Sequence, residues 1–414
     1  MTDRPMHITL SCAGAFHAFN LADQLERHGV LGAFFTTYPK GYIEKRFRVK
    51  LDPRHVRSSL LVYPSELVSR AAARFPRLIG ADATSLARVV HDYVAARWLR
   101  SGTDIFVGWS GCSLATIRRA KSLGITTVVV RGSAHIEEQM RILEAEYAKL
   151  GVPFVRPEGA IQRELAEYQE ADFIQTNSTF ARRSFIAQGV SPERIIMHPT
   201  GVDLRSFRQV SKTDDLFRVI YVGGLNFQKG THYLLQAFSE LALPKSELLL
   251  IGGISEEIRP WLSRYHASNV KAVGYIPQAQ LYQHLSQGSV FAMPSLQEGL
   301  ATVQAQAMAC GLPLVCTANT GGEDFLTANG TEGFVVPVGD VEAFKEKLAM
   351  LHRLPALARD MGQAAKSRVT TGFTWDHYGD RLLATYRQIQ DDRLKRGTSS
   401  ASPRGVSRQT PSNQ

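Results

Sequence analysis

The sequence predicts an α/β protein with two doubly wound domains, each a parallel sheet covered by helices, which face each other across a cleft. Its 414 residues exceed the length at which a single hydrophobic core stops growing. Short β-branched strands alternate with helical segments, and the alternation starts again near residue 216. We therefore expect one domain over residues 1–208, a second over 209–372, and a disordered basic tail over 394–414.

The strands of the first half are short and each is followed by a turn or a helix. The first strand precedes the small-residue turn "AGAF" and a helix that ends at Gly29. Continuously apolar strands of this kind are typical of a parallel sheet buried on both faces. In chain order, the strand segments are "MHITLSC", "LGAFFTTYP", "DIFVGW", "TTVVV", "DFIQTNS" and "RIIMHP".

The second half repeats the pattern after the joining segment at 201–215. Its first strand enters a glycine turn and is followed by the helix "THYLLQAFSEL". Ligands of doubly wound sheets bind at the carboxyl ends of the strands. We therefore expect the carboxyl edges of the two sheets to face each other across the cleft, with the ligand between them. The strand segments are "LFRVIYVGGL", "ELLLIGG", "NVKAVGYI", "GSVFAMPS", "PLVCTAN" and "GFVVPV".

Composition indicates a soluble globular protein, with 44% apolar and 21% charged residues. No apolar run approaches the ~20 residues that span a bilayer, and the start "MTDRPMHITL" lacks the apolar core of a signal peptide. The four cysteines show no metal-ligand spacing, and reduced, buried thiols are expected. We therefore expect a cytoplasmic protein without a metal site.

The net charge of +10 is concentrated in two segments. Residues 40–77 carry ten Lys or Arg against three acids, and residues 394–414 carry four basic residues and no acid. Residues 65–77 form a basic amphipathic pattern, which is typical of a helix that lies on an anionic membrane and meets a lipid-linked acceptor. A helix packed on its own sheet, with a solvated basic face, is the alternative. No nucleic-acid motif accompanies the basic segment, so nucleic acid is not an expected partner.

The stretch "PSLQEGLATVQAQAMACG", residues 294–311, joins a buried strand to a helix through a Glu-Gly turn. Small residues at the turn let a ligand approach the backbone, and the first helix amides, with the positive end of the helix, suit a pyrophosphate. Glu298 is placed to accept hydrogen bonds from sugar hydroxyls. An ordinary surface turn is the alternative. The candidate binding residues of the stretch are Gly299, Leu300, Ala301, Thr302, Val303 and Gln306.

The first turn of the second half strengthens this interpretation. In "YVGGLNFQKG", Gly223 and Gly224 end a strand, and Lys229 precedes a helix. A cation at a helix N-terminus is disfavoured unless an anion is bound there, which favours a phosphate site over a solvated lysine.

Beyond these local features, six longer segments follow one another along the chain: "EADFIQTNSTFARRSFIAQGVSPERIIMHPTGVDLRSF", "VGGLNFQKG", "VGYIPQAQL", "FAMPSLQEGLATVQAQAMACGLPLVCTANTGGEDFL", "GFVVPVGD" and "FTWDHY". In their order and spacing they resemble glycosyltransferase family 4, closely over about 170–380 and loosely before that. The resemblance implies a GT-B fold with a helix at 373–393 that crosses back to the first domain. It also implies sugar transfer with retention from a nucleotide diphosphate sugar, which is a co-substrate, without a metal or other cofactor; the chain has no Asp-x-Asp pair.

Two positions depart from the family pattern. Relatives have a second glutamate where Gln306 stands, and usually an arginine beside the diphosphate where Gly224 stands. An amide accepts a weaker hydrogen bond than a carboxylate. Lys229 is then the main cation on the leaving group, and we expect altered or weakened donor binding.

The resemblance also implies site residues in other loops. His135 follows a strand where relatives keep a histidine near the donor sugar, although such a residue is often a helix cap. Gly14 and Ala15 form the first turn of the first domain, which faces the diphosphate in relatives. Tyr275 and Ile276 follow the strand where relatives hold the base. We expect Glu298, Lys229 and His135 to be the catalytic residues.

The expected function is a glycosyltransferase that acts on a glycan or lipid-linked acceptor in polysaccharide or glycolipid biosynthesis. Two alternatives remain open. One is a non-catalytic sugar-nucleotide-binding protein of the same fold, which the glycine and glutamine departures motivate. The other is a phosphorylase or epimerase built on the same fold.

Overall fold

The computed structural model describes residues 6–59 and 82–399. The predicted amphipathic helix at 65–77 and the tail from residue 400 lie outside these residues, so the predictions made for them stay predictions. The basic segment is described only up to residue 59.

Within the described part, the first domain contains one parallel sheet in the order β3-β2-β1-β4-β5-β6-β7. Each strand segment expected from the sequence is present, and the short β3 is an addition that the sequence did not indicate. The strands are β1 Ile8–Cys12, β2 Leu31–Thr36, β3 Val56–Ser58, β4 Ile105–Trp109, β5 Thr126–Val130, β6 Phe173–Thr176 and β7 Ile195–Met197.

The second domain contains a parallel sheet in the order β10-β9-β8-β11-β12-β13. The prediction of two doubly wound α/β domains is therefore confirmed. The strands are β8 Phe217–Val222, β9 Ser246–Ile251, β10 Val270–Gly274, β11 Val290–Met293, β12 Leu314–Thr317 and β13 Gly333–Val336.

Helices cover both faces of the two sheets. They are α1 Ala18–Arg27, α2 Lys40–Phe47, α3 Asp82–Trp98, α4 Leu114–Ser122, α5 Ile136–Lys149, α6 Glu158–Glu170, α7 Thr179–Ala187, α8 Thr231–Leu241, α9 Arg259–Arg264, α10 Gln278–Leu285, α11 Thr302–Ala309, α12 Val341–Arg353, α13 Pro355–Gly372 and α14 Trp375–Ser399.

Alternate side chains of the central strands fill two apolar clusters on opposite faces of the first sheet. Val128 and Val130 of β5 pack in one cluster, and Val129 packs in the other. All three are essentially inaccessible to solvent. Burial on both faces explains why these strands read as unbroken apolar runs rather than as an alternating pattern.

The last helix, α14, returns to the first domain as expected. Tyr378 and Tyr386 are fully buried there, and both hydroxyls are hydrogen-bonded to the side chain of Gln175 on β6. The helix also contacts α1, where Gln24 Nε2 donates to Asp376 Oδ1 at 3.1 Å. It extends to Ser399, past residue 393 at which the sequence predicts its end.

The chain thus passes between the domains twice, and the two passages touch. Val202 N donates to Phe373 O at 2.8 Å, and Val202 forms a parallel bridge with Thr374. A Cβ on Gly201 would lie 2.4 Å from Trp375 N, so only glycine permits this approach of the two segments.

Candidate active site

Lys229 and Glu298 meet at the carboxyl edge of the second sheet. The loops after β8 and β11 carry them, and Lys229 Nζ donates to Glu298 Oε1 in a close ion pair. Ser295 Oγ donates to the same carboxylate oxygen at 2.9 Å. Their side chains are 24% and 13% exposed, so the pair is partly screened from water yet open to a ligand.

Backbone contacts fix the positions of both side chains. Lys229 N donates to Asn226 Oδ1 at 2.9 Å, and Glu298 N donates to Asn319 O at 2.8 Å. Gly230, which follows Lys229, has φ +62°, and a Cβ there would lie 2.0 Å from Pro294 O. The left-handed backbone and the close approach both require glycine. The two loops are therefore held against each other before any ligand binds.

The N-terminus of α11 offers fewer free amides than the sequence predicts. Ala301 N donates to Thr320 O at 3.1 Å, so the expectation that this amide is free is wrong. The segment after β12 folds over the turn and supplies that carbonyl. For the amides of Thr302 and Val303, the described residues provide no partner. These two amides remain at the positive end of the helix.

Gly223 and Gly224 form a tightly packed loop after β8. A Cβ on Gly252 would lie 1.8 Å from Gly223 O, so the loops after β8 and β9 contact each other through their backbones. Tyr221 Oη donates to Gly224 O at 2.8 Å. Burial, with the nearby Glu298 carboxylate, raises the pKa of Tyr221, so this hydroxyl stays protonated and keeps donating.

The first domain closes directly onto the Glu-Gly turn. A Cβ on Gly299 would lie 2.1 Å from Gly132 O, in the loop between β5 and α5. Ser133 Oγ donates to Gln297 Oε1 at 2.7 Å, and Ser178 Oγ donates to Gly299 O. The small residue at 299 therefore permits approach of the chain's own backbone, whereas the sequence analysis explained it by approach of a ligand.

His135 is the N-cap of α5. Its Nδ1 accepts from Glu137 N at 3.3 Å, and its own amide donates to Ser184 Oγ at 2.8 Å. Burial, followed by the charge of Arg131, lowers the pKa of His135 to about 4, so the imidazole is neutral near pH 7. The capping alternative considered for this residue is what the structure shows, and contact with a donor sugar stays a prediction.

The remaining predicted site residues lie at the rims of the two edges. Ala15 is exposed in the loop after β1, and a Cβ on Gly14 would lie 2.7 Å from the ring of Phe16. Tyr275 is 75% exposed after β10, while Ile276 packs partly against the core. Gln306 lies on α11 and is half-buried. Leu300 lies just before α11 and is buried. The structure does not test their roles.

The sequence analysis missed a buried ionic network beneath the carboxyl end of β4. Arg131 Nη1 lies 2.7 Å from Glu164 Oε2, and both carboxylate oxygens of Glu167 accept backbone amides, from Gly111 and Ser113. Burial raises the pKa of Glu167 to about 8. The bonded partners lie 33 to 56 positions apart in the chain, so no spacing motif could reveal them.

A second polar cluster, also missed, joins the domains through α5 and α8. Glu146 Oε1 accepts from His232 Nε2 at 2.8 Å and from Tyr233 Oη at 2.7 Å. Burial opposes ionisation of Glu146, but these hydrogen bonds outweigh it and lower its pKa. Tyr147 Oη donates to Glu257 Oε2 at 2.6 Å, and Glu257 holds the amide of Phe227. The cluster therefore connects the interface between the two domains to the loop that carries Lys229.

In the described ranges, no group of three or more His, Cys, Asp or Glu side chains is placed to hold a metal ion. No helix in the described part of the chain combines the length and the apolar character needed to cross a bilayer.

Two facing doubly wound domains, with a site between their carboxyl edges, place the chain in the GT-B fold class. Solved structures support this: sucrose-phosphate synthase from Thermosynechococcus elongatus superimposes with a TM-score of 0.68 at 20% identity, over 93% of this chain and 99% of that one. HepE from Anabaena, in complex with UDP-glucose, gives a TM-score of 0.64 at 14% identity, over 92% and 100%. Likeness at these identities concerns the fold.

Residues 203–368 match the model of the family described as "Glycosyl transferases group 1". The predicted resemblance to glycosyltransferases is thereby confirmed over these residues, and the narrower family 4 number stays a prediction.

Curated relatives agree with this family. Alpha-maltose-1-phosphate synthase of Mycolicibacterium smegmatis is 29% identical over 213 residues, which is 48% of this chain and 52% of the relative. A GDP-mannose-dependent phosphatidylinositol monomannoside mannosyltransferase of Corynebacterium glutamicum is 28% identical, over 51% and 61%. The chain spans about half the length of the curated relatives it matches.

Proposed function

We propose that this protein is a retaining glycosyltransferase that moves a sugar from a nucleotide diphosphate sugar to a glycan or lipid-linked acceptor. The observation that carries the proposal is the Lys229–Glu298 pair at the mouth between the two carboxyl edges. The unpartnered amides of Thr302 and Val303 lie on the helix that follows Glu298. A cation, free amides and a carboxylate are the groups that a diphosphate sugar requires.

In the proposed mechanism, negative charge grows on the diphosphate as the glycosidic bond breaks. Preorganised donors aimed at this charge supply a large part of the rate enhancement. Lys229 supplies the ammonium, and the amides of Thr302 and Val303 supply two further donors. Because this chain's own residues furnish these donors, we expect turnover without a metal ion or another cofactor.

Donor binding exchanges the partner of Lys229. In the structure its ammonium is paired with Glu298, and a diphosphate carries more charge than one carboxylate. The ammonium therefore moves to the diphosphate, and Glu298 becomes free to accept hydrogen bonds from the sugar hydroxyls. Ser295 keeps the carboxylate in place during this exchange.

The first domain closes the site from the opposite side. His135, neutral and capping α5, positions the loop at Gly132–Ser133 rather than supplying a charge. Its contribution to the sugar is then through the geometry of this loop. The loop of Gly14 and Ala15 lies at the same carboxyl edge, after β1, and is proposed to face the diphosphate.

The relatives' names support the donor class. HepE is described in complex with UDP and with UDP-glucose, and a matched mannosyltransferase is described as GDP-mannose-dependent. A role in polysaccharide or glycolipid biosynthesis follows from the same comparison. We further propose a cytoplasmic protein that contacts the membrane through residues 40–77, where α2 exposes Lys45 and Arg46.

The test begins with a thermal-shift panel of nucleotide sugars, because a ligand of the native state raises the melting temperature by mass action. Turnover is then measured with the donor that binds. Lys229→Ala should lower kcat by about 10²–10³-fold, since it removes a preorganised donor to the leaving group. Lys366→Ala, a lysine on α13 away from the site, is the control. Turnover of Lys229→Ala near that of the wild type would refute the mechanism.

A sugar-nucleotide-binding protein without turnover is the second candidate. The departures at Gly224 and Gln306 favour it, because each replaces a charged group of the family pattern by an uncharged one. It predicts saturable nucleotide affinity and no product. Analysis of the product anomer separates retention from inversion, and dependence on free phosphate or activity without an acceptor would instead indicate a phosphorylase or an epimerase.

A further inference from the structure

A cavity of about 540 Å³ opens on the first domain between α3, α4 and α6. Tyr93 and four arginines line it, and the arginines are Arg97, Arg118, Arg119 and Arg163. We call it the arginine cavity. Its volume lies in the range of small-molecule sites, and none of its lining residues belongs to the Lys229–Glu298 site.

The positive charge of the arginine cavity is only half compensated. Arg118 forms a bidentate pair with Glu170, and Arg163 is paired with Asp92. For the exposed guanidinium groups of Arg97 and Arg119, the described residues offer no ion pair or hydrogen bond. The lining contains no carboxylate within the described part of the chain. Two guanidinium groups are therefore available to an anion.

The wall of the arginine cavity is rigidly held. Asp92, which is fully buried, accepts the amides of Ala115 and Thr116 at 2.8 and 2.9 Å and so fixes the start of α4 against α3. Arg163 reaches the same carboxylate from α6. Because the helix amides are already used by Asp92, a ligand here must be recognised by the guanidinium groups.

The paired N–H donors of a guanidinium group match two oxygens of a carboxylate or of a phosphate. A phosphate monoester carries more charge than a carboxylate and has three acceptor oxygens, so it can engage both unpaired arginines at once. Tyr93, whose side chain is 60% exposed at the rim, adds a hydroxyl donor. We propose that the arginine cavity binds the phosphate group of a phosphorylated ligand, either a small soluble phosphate or a lipid headgroup. This site is separate from the donor diphosphate site and does not depend on its chemistry.

Binding of glycerol 3-phosphate, measured by titration calorimetry on the full chain at low salt, tests the proposal. Losing one charge-assisted contact should weaken binding by at least about tenfold, which corresponds to about 1.4 kcal/mol. Arg97→Ala/Arg119→Ala should therefore weaken it by about 10²-fold. Arg359→Ala, an exposed arginine on α13, should leave it unchanged.

Two further measurements distinguish a lipid phosphate from a soluble phosphate, and the arginine cavity from the donor site. Flotation with phosphatidylcholine vesicles, with and without phosphatidic acid, identifies a lipid phosphate if phosphatidic acid recruits the wild type but not the double variant. Binding of glycerol 3-phosphate without recruitment identifies a soluble phosphate. Lys229→Ala should bind glycerol 3-phosphate like the wild type, whatever its turnover. The proposal is overturned if neither probe binds, or if the double variant binds as tightly as the wild type.

Discussion

Gly299→Ala tests whether the observed contact between the domains is the active arrangement. The added Cβ would lie 2.1 Å from Gly132 O, 2.4 Å from Gly132 C and 2.7 Å from Ser133 N. All three are main-chain atoms, so no rotamer change relieves the overlap. Since real Cβ contacts lie beyond 3.0 Å, the turn and the first domain must separate by about 1 Å.

That separation removes a defined set of contacts. Ser178 Oγ–Gly299 O and Ser133 Oγ–Gln297 Oε1 are the hydrogen bonds that cross at this point. A misplacement of about 1 Å in an active site can cost roughly 10²-fold in rate. We therefore expect kcat/KM to fall by about 10²-fold, while the melting temperature in the absence of donor changes little, because the cores of both domains are untouched.

The assay is donor turnover, with small-angle scattering to detect a more open average shape. Gly132→Ala is a matched control: a Cβ on this residue, on the other side of the same contact, would meet nothing within 4 Å. Gly132→Ala should retain wild-type turnover and scattering. If Gly299→Ala also retains both, the closed contact is not the working geometry and the reasoning fails.

Two further predictions concern stability. Gly230→Ala should lower the free energy of unfolding of the second domain by about 2–4 kcal/mol in chemical denaturation, because it combines a left-handed φ with a 2.0 Å overlap on Pro294 O. Gly253→Ala, with open space at the Cβ, should not, and equal effects would contradict this account. Glu167 has a pKa raised from 4.5 to about 8 by burial, so the native protein keeps a proton that the unfolded chain releases. Stability should therefore fall between about pH 4.5 and 8, by at most about 1.4 kcal/mol per pH unit from this group, and the Glu167→Gln variant should lack that slope. Denaturation midpoints across this pH range measure the slope, and identical slopes would exclude the assignment.

Much of the fold could be predicted because its signals are local. The run at Thr126–Val130 consists only of β-branched residues, which favours a strand, and its valines pack on opposite faces of the sheet as a doubly covered sheet requires. The turn that carries Glu298 could be predicted from its small residues, and the helix after it from its periodicity. The capping role of His135 could also be predicted as an alternative, because its hydrogen-bond partner Glu137 lies only two residues away.

The errors concern contacts between distant segments. The amide of Ala301 is used by Thr320, which approaches only because the chain after β12 folds over the turn. Gly299 is small because Gly132 of the other domain lies against it. The cluster around Glu146 depends on α5 meeting α8, more than 80 positions away. A sequence contains no distance information at such separations, so these contacts could not be derived from it.

The adjoining passages at Gly201–Val202 and Phe373–Trp375 have a mechanical consequence. Because the two connections lie side by side, we expect the domains to move by rotation about the line through them. Twisting or sliding of one domain against the other would break the hydrogen bond from Val202 N to Phe373 O. For the proposed reaction, we expect opening and closing of the cleft to follow the same rotation. We therefore expect each closure to bring Gly299 back against Gly132, and a single protease cut between residues 372 and 375 to remove this restriction on the motion.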